Sequence, residues 1–270
     1  DRCTPRWSRS PTTSEVSMTT WVDSHCHVFM LDDPLGAVDR AIEAGIEWML
    51  VPGVDLETSL QARRLAADRP DRVLWATGLH PHDAERWDEE QPKLSALAVE
   101  AAAIGEVGLD YYRDLSPRDD QRRAFRDQVQ LASDLGKPVI VHTRDSFAHV
   151  YEILSEADLG EKAVLHCWTG GPRWTKRFRE LGATFSFAGP ITYTTGDTVR
   201  LGAAEAPPER TLVETDTPYL TPEPHRGEAN RPEWSILNGI ALAEIWGMSE
   251  EDVARVTSEN STRVFGVPSG

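Results

Sequence analysis

Short, nearly unbroken apolar runs punctuate this chain, and segments with a helical repeat of apolar positions separate them. The runs are "TTWVDSH" (19–25), "IEWMLVPG" (46–53), "VLWATGLH" (73–80), "AAAIGEVGLD" (101–110), "KPVIVHTRD" (137–145), "KAVLHCWTG" (162–170), "ATFSFAG" (183–189) and "RTLVETDTP" (210–218). Their length and weak alternation predict strands buried on both faces, as in a parallel sheet. A helix is predicted over 35–44, with Gly45 just past its end. Over 55–68, Leu56, Leu60, Arg64 and Ala67 share one side of a second helix. A third runs from Pro117 to Leu135, with Phe125, Val129 and Ala132 on its apolar stripe. Ser116 is its expected N-cap, ahead of a first-turn proline, and Gly136 its end. Two more are predicted over 233–246 and 250–264, the latter capped by Ser249 with Glu250 to Asp252 in its first turn. Strands alternating with helices predict an α/β fold, and eight such units in about 250 residues predict a (β/α)8 TIM barrel. A doubly wound open sheet is the rival.

Charge and cysteine content narrow the setting. With 44 acidic and 28 basic residues the net charge is −16 and the pI about 4.9. An acidic chain without a basic stripe must grip any phosphate locally. Three cysteines, Cys3, Cys26 and Cys167, are too few and too odd in number for a disulfide framework, so a reducing cytoplasm is expected. No apolar stretch approaches the roughly 18 residues of a transmembrane helix, so no membrane partner is expected. Residues 1–18 are rich in Ser, Thr, Pro and Arg and lack an apolar signal core. They are expected to be a disordered extension ahead of a natural start at Met18, with a transit peptide as the alternative. The barrel is then expected over 19–266, as a monomer.

The run ends carry the chemistry. His25 and His27 close the first, His80 the third, Glu106 the fourth, His142 the fifth, His166 the sixth and Asp216 the eighth. In a barrel those ends converge on one face. His25 and His27 are two apart and so face one side, with Cys26 facing away. An HxH pair alone is as well explained by chance, and a lone strand-end histidine by packing. A carboxylate buried after "AAAIG" is different, because it needs a cation to offset its desolvation. Together His25, His27, Glu106, His142, His166 and Asp216 offer a mixed nitrogen and oxygen donor set for two divalent ions, with Mg, Mn, Zn and Co as candidates. Glu106 is placed to bridge them, and Asp216 to hold one while accepting a proton from the attacking water. Glu214 and Asp23 are candidates to hydrogen-bond a ligand imidazole. Cys26 and Cys167 read as packing residues rather than nucleophiles. "WTGGPR" lacks the lysine of a phosphate loop.

These residues lie in motifs that resemble one family. "DSHCH", "GLHPHDA", "IGEVGLDYY", "LGKPVIVHTRD", "HCWTGG", "FSFAGPIT", "LVETDTPYL" and "TSENSTRVFG" are similar to the TatD family of metal-dependent hydrolases, from about Val22 to Gly266. The resemblance implies a TIM barrel of the amidohydrolase-like superfamily. It implies one ion on His25, His27, Glu106 and Asp216 and another on Glu106, His142 and His166. It places His80 and Tyr112 near the phosphate, and Arg144 and Arg226 suit phosphate contact by charge and position. It implies a deoxyribonuclease working 3′ to 5′ on DNA ends, preferring single strands. Trp168, Tyr111, Tyr112 and Tyr193 are candidates to stack on bases, or else simply to pack the loops. The same site would also suit an amide, a lactone, another ester or a mischarged aminoacyl-tRNA. A non-enzymatic metal-holding scaffold would be expected to lack a ligand, and none is lacking.

Overall fold

A computed structural model describes residues 19–268, so the expected extension over 1–18 lies outside the described residues. Eight parallel strands form one sheet in sequential order: β1 (Trp21–Asp23), β2 (Ile46–Pro52), β3 (Val73–Thr77), β4 (Ala103–Asp110), β5 (Val139–Arg144), β6 (Ala163–Leu165), β7 (Thr184–Phe187) and β8 (Thr211–Val213). Backbone hydrogen bonds close the circle. Ser24 donates to the Val213 carbonyl at 3.0 Å, Asp216 to His25 at 2.9 Å, and His27 to Thr217 at 2.7 Å. The fold is the TIM barrel, not the open sheet. Each strand feeds an outer helix: α1 (Pro34–Glu43), α2 (Leu56–Asp68), α3 (Trp87–Ala98), α4 (Arg118–Leu135), α5 (Phe147–Ala157), α6 (Gly171–Glu180), α7 (Asp197–Ala203) and α8 (Ser235–Trp246), and α9 (Glu250–Phe265) completes the chain. Among the described residues no helix is long and apolar enough to cross a membrane.

The unbroken apolar runs follow from two separate cores. Val22, Trp48, Leu50, Ala76, Ala103, Ile140, Val164 and Leu212 fill the barrel interior, where Val264 and Phe265 of α9 join them. Their strand neighbours, among them Met49, Val51, Ile104, Val107, Leu109, Val141 and Leu165, pack outward against the helices. Local chemistry ends helices as expected at Gly45 and Gly136 and opens α9 at Ser249, whose side chain accepts a bond from the Asp252 amide. Two expectations fail. Ser116 does not cap α4, because its hydroxyl donates to the His82 carbonyl at 2.8 Å. The buried side of α2 is Ser59, Ala62 and Leu65, while Arg64 and Ala67 face solvent. Small Ser59 is buried because the backbone of Gly53 packs directly on it.

One irregularity positions the site. Ile104 pairs with Val139 and Val107 with Val141, so three steps on β4 match two on β5. The extra residue of this bulge lets Gly105 and Glu106 both turn inward between outward-facing Ile104 and Val107. Beyond it β4 and β5 press together. A Cβ on Gly108, whose φ is +142°, would stand 2.1 Å from the His142 carbonyl oxygen. Gly108→Ala is therefore expected to cost about 3 kcal/mol in overpacking and strain and to lower Tm by roughly 6–12 °C. Calorimetry checks this, and an unchanged Tm would refute the close approach.

Candidate metal centre

Histidines and carboxylates from six strand ends meet at one face of the barrel. The chain leaving β1 is held in the barrel wall by its bonds to Thr217 and Asp216, which aims His25 and His27 at a common point. Their Nε2 atoms stand 3.1 Å apart. Asp216 Oδ1 lies 3.7 Å from His25 Nε2 and 3.4 Å from His27 Nε2. Glu106 Oε2 lies 3.5 and 3.3 Å from the same two atoms. The other oxygen of Glu106, Oε1, faces a second set: His142 Nδ1 at 2.8 Å, His166 Nε2 at 3.1 Å and His80 Nε2 at 3.5 Å. One carboxylate thus separates two imidazole groups, with one oxygen turned to each.

The far side of each ring decides what the near side offers. His27 Nδ1–H donates to the Pro52 carbonyl at 3.1 Å, and His166 Nδ1–H to Glu214 Oε1 at 3.1 Å. His142 Nε2–H donates to Asp110 Oδ2 at 3.3 Å. In the neutral rings these bonds leave the lone pair on the opposite nitrogen, aimed at a carboxylate oxygen or at another imidazole. Lone pairs and carboxylate oxygens come this close only with positive charge among them. Imidazole nitrogen and carboxylate oxygen are the donors that divalent transition ions take, so the residues fit such cations. The electrostatics carry the same sign. Burial would raise the Glu106 carboxyl, but His166, His80 and His142 hold it well below the usual range. Burial pulls His27 down, and the Asp216 and Glu106 carboxylates outweigh it, leaving it at about 9. Burial and the neighbouring His166 push His25 down to about 3. Burial likewise takes His80 down to about 4, against the pull of Glu106.

The structure brings together the six residues singled out as ligands and adds His80 to their circle. It corrects several other readings. The strands do not all end at these residues. β4 runs on past Glu106 to Asp110, whereas β1, β3 and β8 stop short of His25, His80 and Asp216. Glu214 does hold the ring of His166, but Asp23 touches no imidazole. Its carboxylate accepts from the amides of His25 and Thr215 and from the Thr215 hydroxyl at 2.6 Å, so it fixes the backbone that carries His25 and Asp216. Trp168 does not stack on a base. It is 2% exposed, donates Nε1–H to Thr175 Oγ1, and packs on Phe147, Phe178 and Phe185. Tyr111 is likewise engaged by the protein, under Arg118 and against His149. Tyr112 is exposed with the Arg144 guanidinium 4.0 Å from its ring centre, and Tyr193 carries Arg226 at 3.8 Å. None of these four bonds to the histidine cluster. Cys26 and Cys167 are free thiols, which burial pushes far above their usual range.

Asp110 is the participant that the reading of strand ends missed. It is fully buried, and its Oδ2 accepts from both His142 and His82, the latter at 2.9 Å. Its Oδ1 takes the amides of Tyr112 at 3.0 Å and Arg113 at 2.8 Å. A signal was present: Glu106 and Asp110 are four apart in one strand, hence on one face.

Comparison with known proteins gives a consistent neighbourhood. The family model described as TatD related DNase matches residues 22–266. The metal-dependent hydrolase YabD of Bacillus subtilis is 36% identical over 255 residues, covering 91% of this chain and 98% of its own. A protein of Pectobacterium parmentieri named 3′-5′ ssDNA/RNA exonuclease TatD is 35% identical over 238 residues, covering 84% and 91%. Among solved structures, the TatD homologue YJJV of Escherichia coli superposes with a TM-score of 0.85 at 28% identity, over 92% of this chain and 98% of that one.

Proposed function

This chain belongs to the TatD family of metal-dependent hydrolases, and on that premise we propose that it is a nuclease that removes nucleotides from the 3′ end of single-stranded DNA. The observation that supports this most is the buried Glu106 carboxylate, whose two oxygens face two separate donor groups. Two divalent ions, with Mg, Mn, Zn and Co as candidates, would be held by His25, His27, Glu106 and Asp216 on one side and by Glu106, His142 and His166 on the other. Bound there, they would neutralise phosphate charge and acidify a water.

The chain's own residues do the rest. Glu106 is a fixed counter-charge, sealed from solvent. Asp216 is the more open carboxylate, at 13% side-chain exposure, and is placed to accept the proton of the attacking water. Asp110 and Glu214 hold His142 and His166 in the tautomers that keep their inward nitrogens unprotonated. His80, Tyr112, Arg144 and Arg226 contact the substrate. Among the described residues Arg144 and Arg226 rest on the Tyr112 and Tyr193 rings but have no carboxylate oxygen within 4.0 Å, so no carboxylate neutralises their charge and it is open to phosphate. The two free thiols suit a reducing cytoplasm, where we place the protein as a monomer.

The test is 3′- and 5′-end-labelled single-stranded DNA incubated across a metal series, with double-stranded DNA and RNA as controls. Stepwise loss from the 3′ end in Mg²⁺ or Mn²⁺ is expected. Absence of nucleotide release with every metal would overturn the reading. Hydrolysis of an amide, a lactone or a mischarged aminoacyl-tRNA instead would move the substrate class.

A further inference from the structure

Positive charge on this acidic chain is not evenly spent. Arg40, Arg63, Arg69, Arg118, Arg122, Arg123 and Arg126 each pair with a carboxylate on the outer surface. Helix α6, "GPRWTKRFRE", differs: it has four basic residues to one acid. Its basic side chains are exposed. Lys176 and Arg179 lean on Glu205. Arg173 and Arg177 have no carboxylate oxygen within 4.0 Å among the described residues.

Aromatic rings interleave with these two arginines. The Arg177 guanidinium lies 5.2 Å from the Trp174 ring centre and 5.3 Å from that of Tyr151 on α5. Arg173 lies 5.9 Å from Trp174 on its other side in sequence. Trp174 stacks on Phe147 at 5.8 Å and an interplanar angle of 26°. All three rings are part-exposed rather than sealed in the core. The place matters as much as the composition. Phe147 opens α5 just after β5, and Arg173 and Trp174 lie in the first turn of α6, seven and eight residues after His166. The first turns of barrel helices stand on the same face as the strand ends. Tyr151 and Arg177 lie one turn further from that face.

We infer that Phe147, Tyr151, Arg173, Trp174 and Arg177 form a second binding site, for the part of a single-stranded polynucleotide that extends beyond the nucleotide being cleaved. The ligand has the two features this patch complements: backbone phosphates for Arg173 and Arg177, and unpaired bases for the part-exposed rings. The inference rests on the nuclease reading and extends it, because a site away from the cleaved bond makes affinity depend on strand length. It also gives a chain of net charge −16 a local means of holding a polyanion.

The test compares dT20 with dT2 as substrates of the metal-loaded wild type, the R173E/R177E double variant and Trp174→Ala. Both arginines are exposed and unpaired, so the double variant keeps its fold, which calorimetry checks. KM for dT20 is expected to rise about tenfold in the double variant, and the salt dependence of dT20 binding to flatten by about 1.4, for two phosphate contacts. For dT2, kcat/KM is expected to be unchanged. Equal behaviour of the two substrates would overturn the inference. If the wild type cleaves neither, the nuclease reading falls, and fluorescence anisotropy of labelled dT20 still decides: weaker binding by the double variant supports the site, and unchanged binding removes it. An rU20 arm reads DNA against RNA. Competition by poly-glutamate of matched charge as strong as that by dT20 would overturn the polynucleotide assignment in favour of an acidic peptide.

Discussion

Glu106→Gln is expected to lower kcat by about 10³–10⁴-fold while leaving the barrel folded. The substitution keeps the shape of the side chain and removes one negative charge. Among the described residues that charge is the only one that faces both imidazole groups: Oε2 toward His25 and His27, and Oε1 toward His142, His166 and His80. Electrostatic stabilisation by a bound cation is worth several kcal/mol, and each 1.4 kcal/mol is about a factor of ten in rate. The amide also presents an N–H₂ to nitrogens that the rest of the protein holds as lone-pair donors, so metal content should fall together with activity. Steady-state kinetics on end-labelled DNA and elemental analysis of the purified variant check both parts. Thermal unfolding separates the effect from misfolding, because the strand around Glu106 is held by backbone bonds, including Glu106 N–H to the Gly53 carbonyl at 2.7 Å, that Gln can keep. A variant that retains full activity and its metal would refute the central role of this carboxylate.

Much of this arrangement is legible in the sequence, and the reasons are physical. Parallel strands packed between two apolar layers must be apolar throughout, so runs such as "IEWMLVPG" and "KPVIVHTRD" announce themselves without any neighbour. Strand parity puts His25 and His27 on one face, and the barrel's geometry brings distant strand ends together. What escaped depends on partners that the local pattern does not contain. Helix α3 carries an internal proline, Pro92, and a weak apolar stripe, and α7 has only seven residues, so periodicity does not bound them, whereas the stripes of α5 (Val150, Ile153, Leu154) and α6 (Gly171, Thr175, Phe178) are regular and legible. Ser59 is buried by Gly53 of the loop that leads into α2, and Asp23 is recruited by the Thr215 amide and hydroxyl beyond β8. Trp168 lies two residues after His166 and looks available for stacking. Its side chain instead turns outward, away from the ligand face, to lie among Phe147, Phe178 and Phe185.

Asp110 is the clearest case of such a partner, and its removal has the second largest expected effect. Asp110→Asn leaves an oxygen for the Tyr112 and Arg113 amides and turns an N–H₂ toward His142 and His82, where two ring N–H groups now donate. Donor would face donor. His142 escapes by moving its proton to Nδ1, the atom 2.8 Å from Glu106 Oε1, and so loses the lone pair it offers there. Losing such an outer hydrogen bond typically costs about 10–100-fold in metal affinity or activity. The expected result is a loss of that size in metal affinity by competitive chelator titration, with activity recovering as the metal concentration is raised. Glu106→Gln should not recover in this way, because it removes the charge itself rather than the orientation of a ring. If Asp110→Asn binds metal as the wild type does, His142 is not a ligand through Nδ1, and the second donor group shrinks to Glu106 and His166, because His80 Nδ1 accepts the His82 amide and leaves its proton on Nε2.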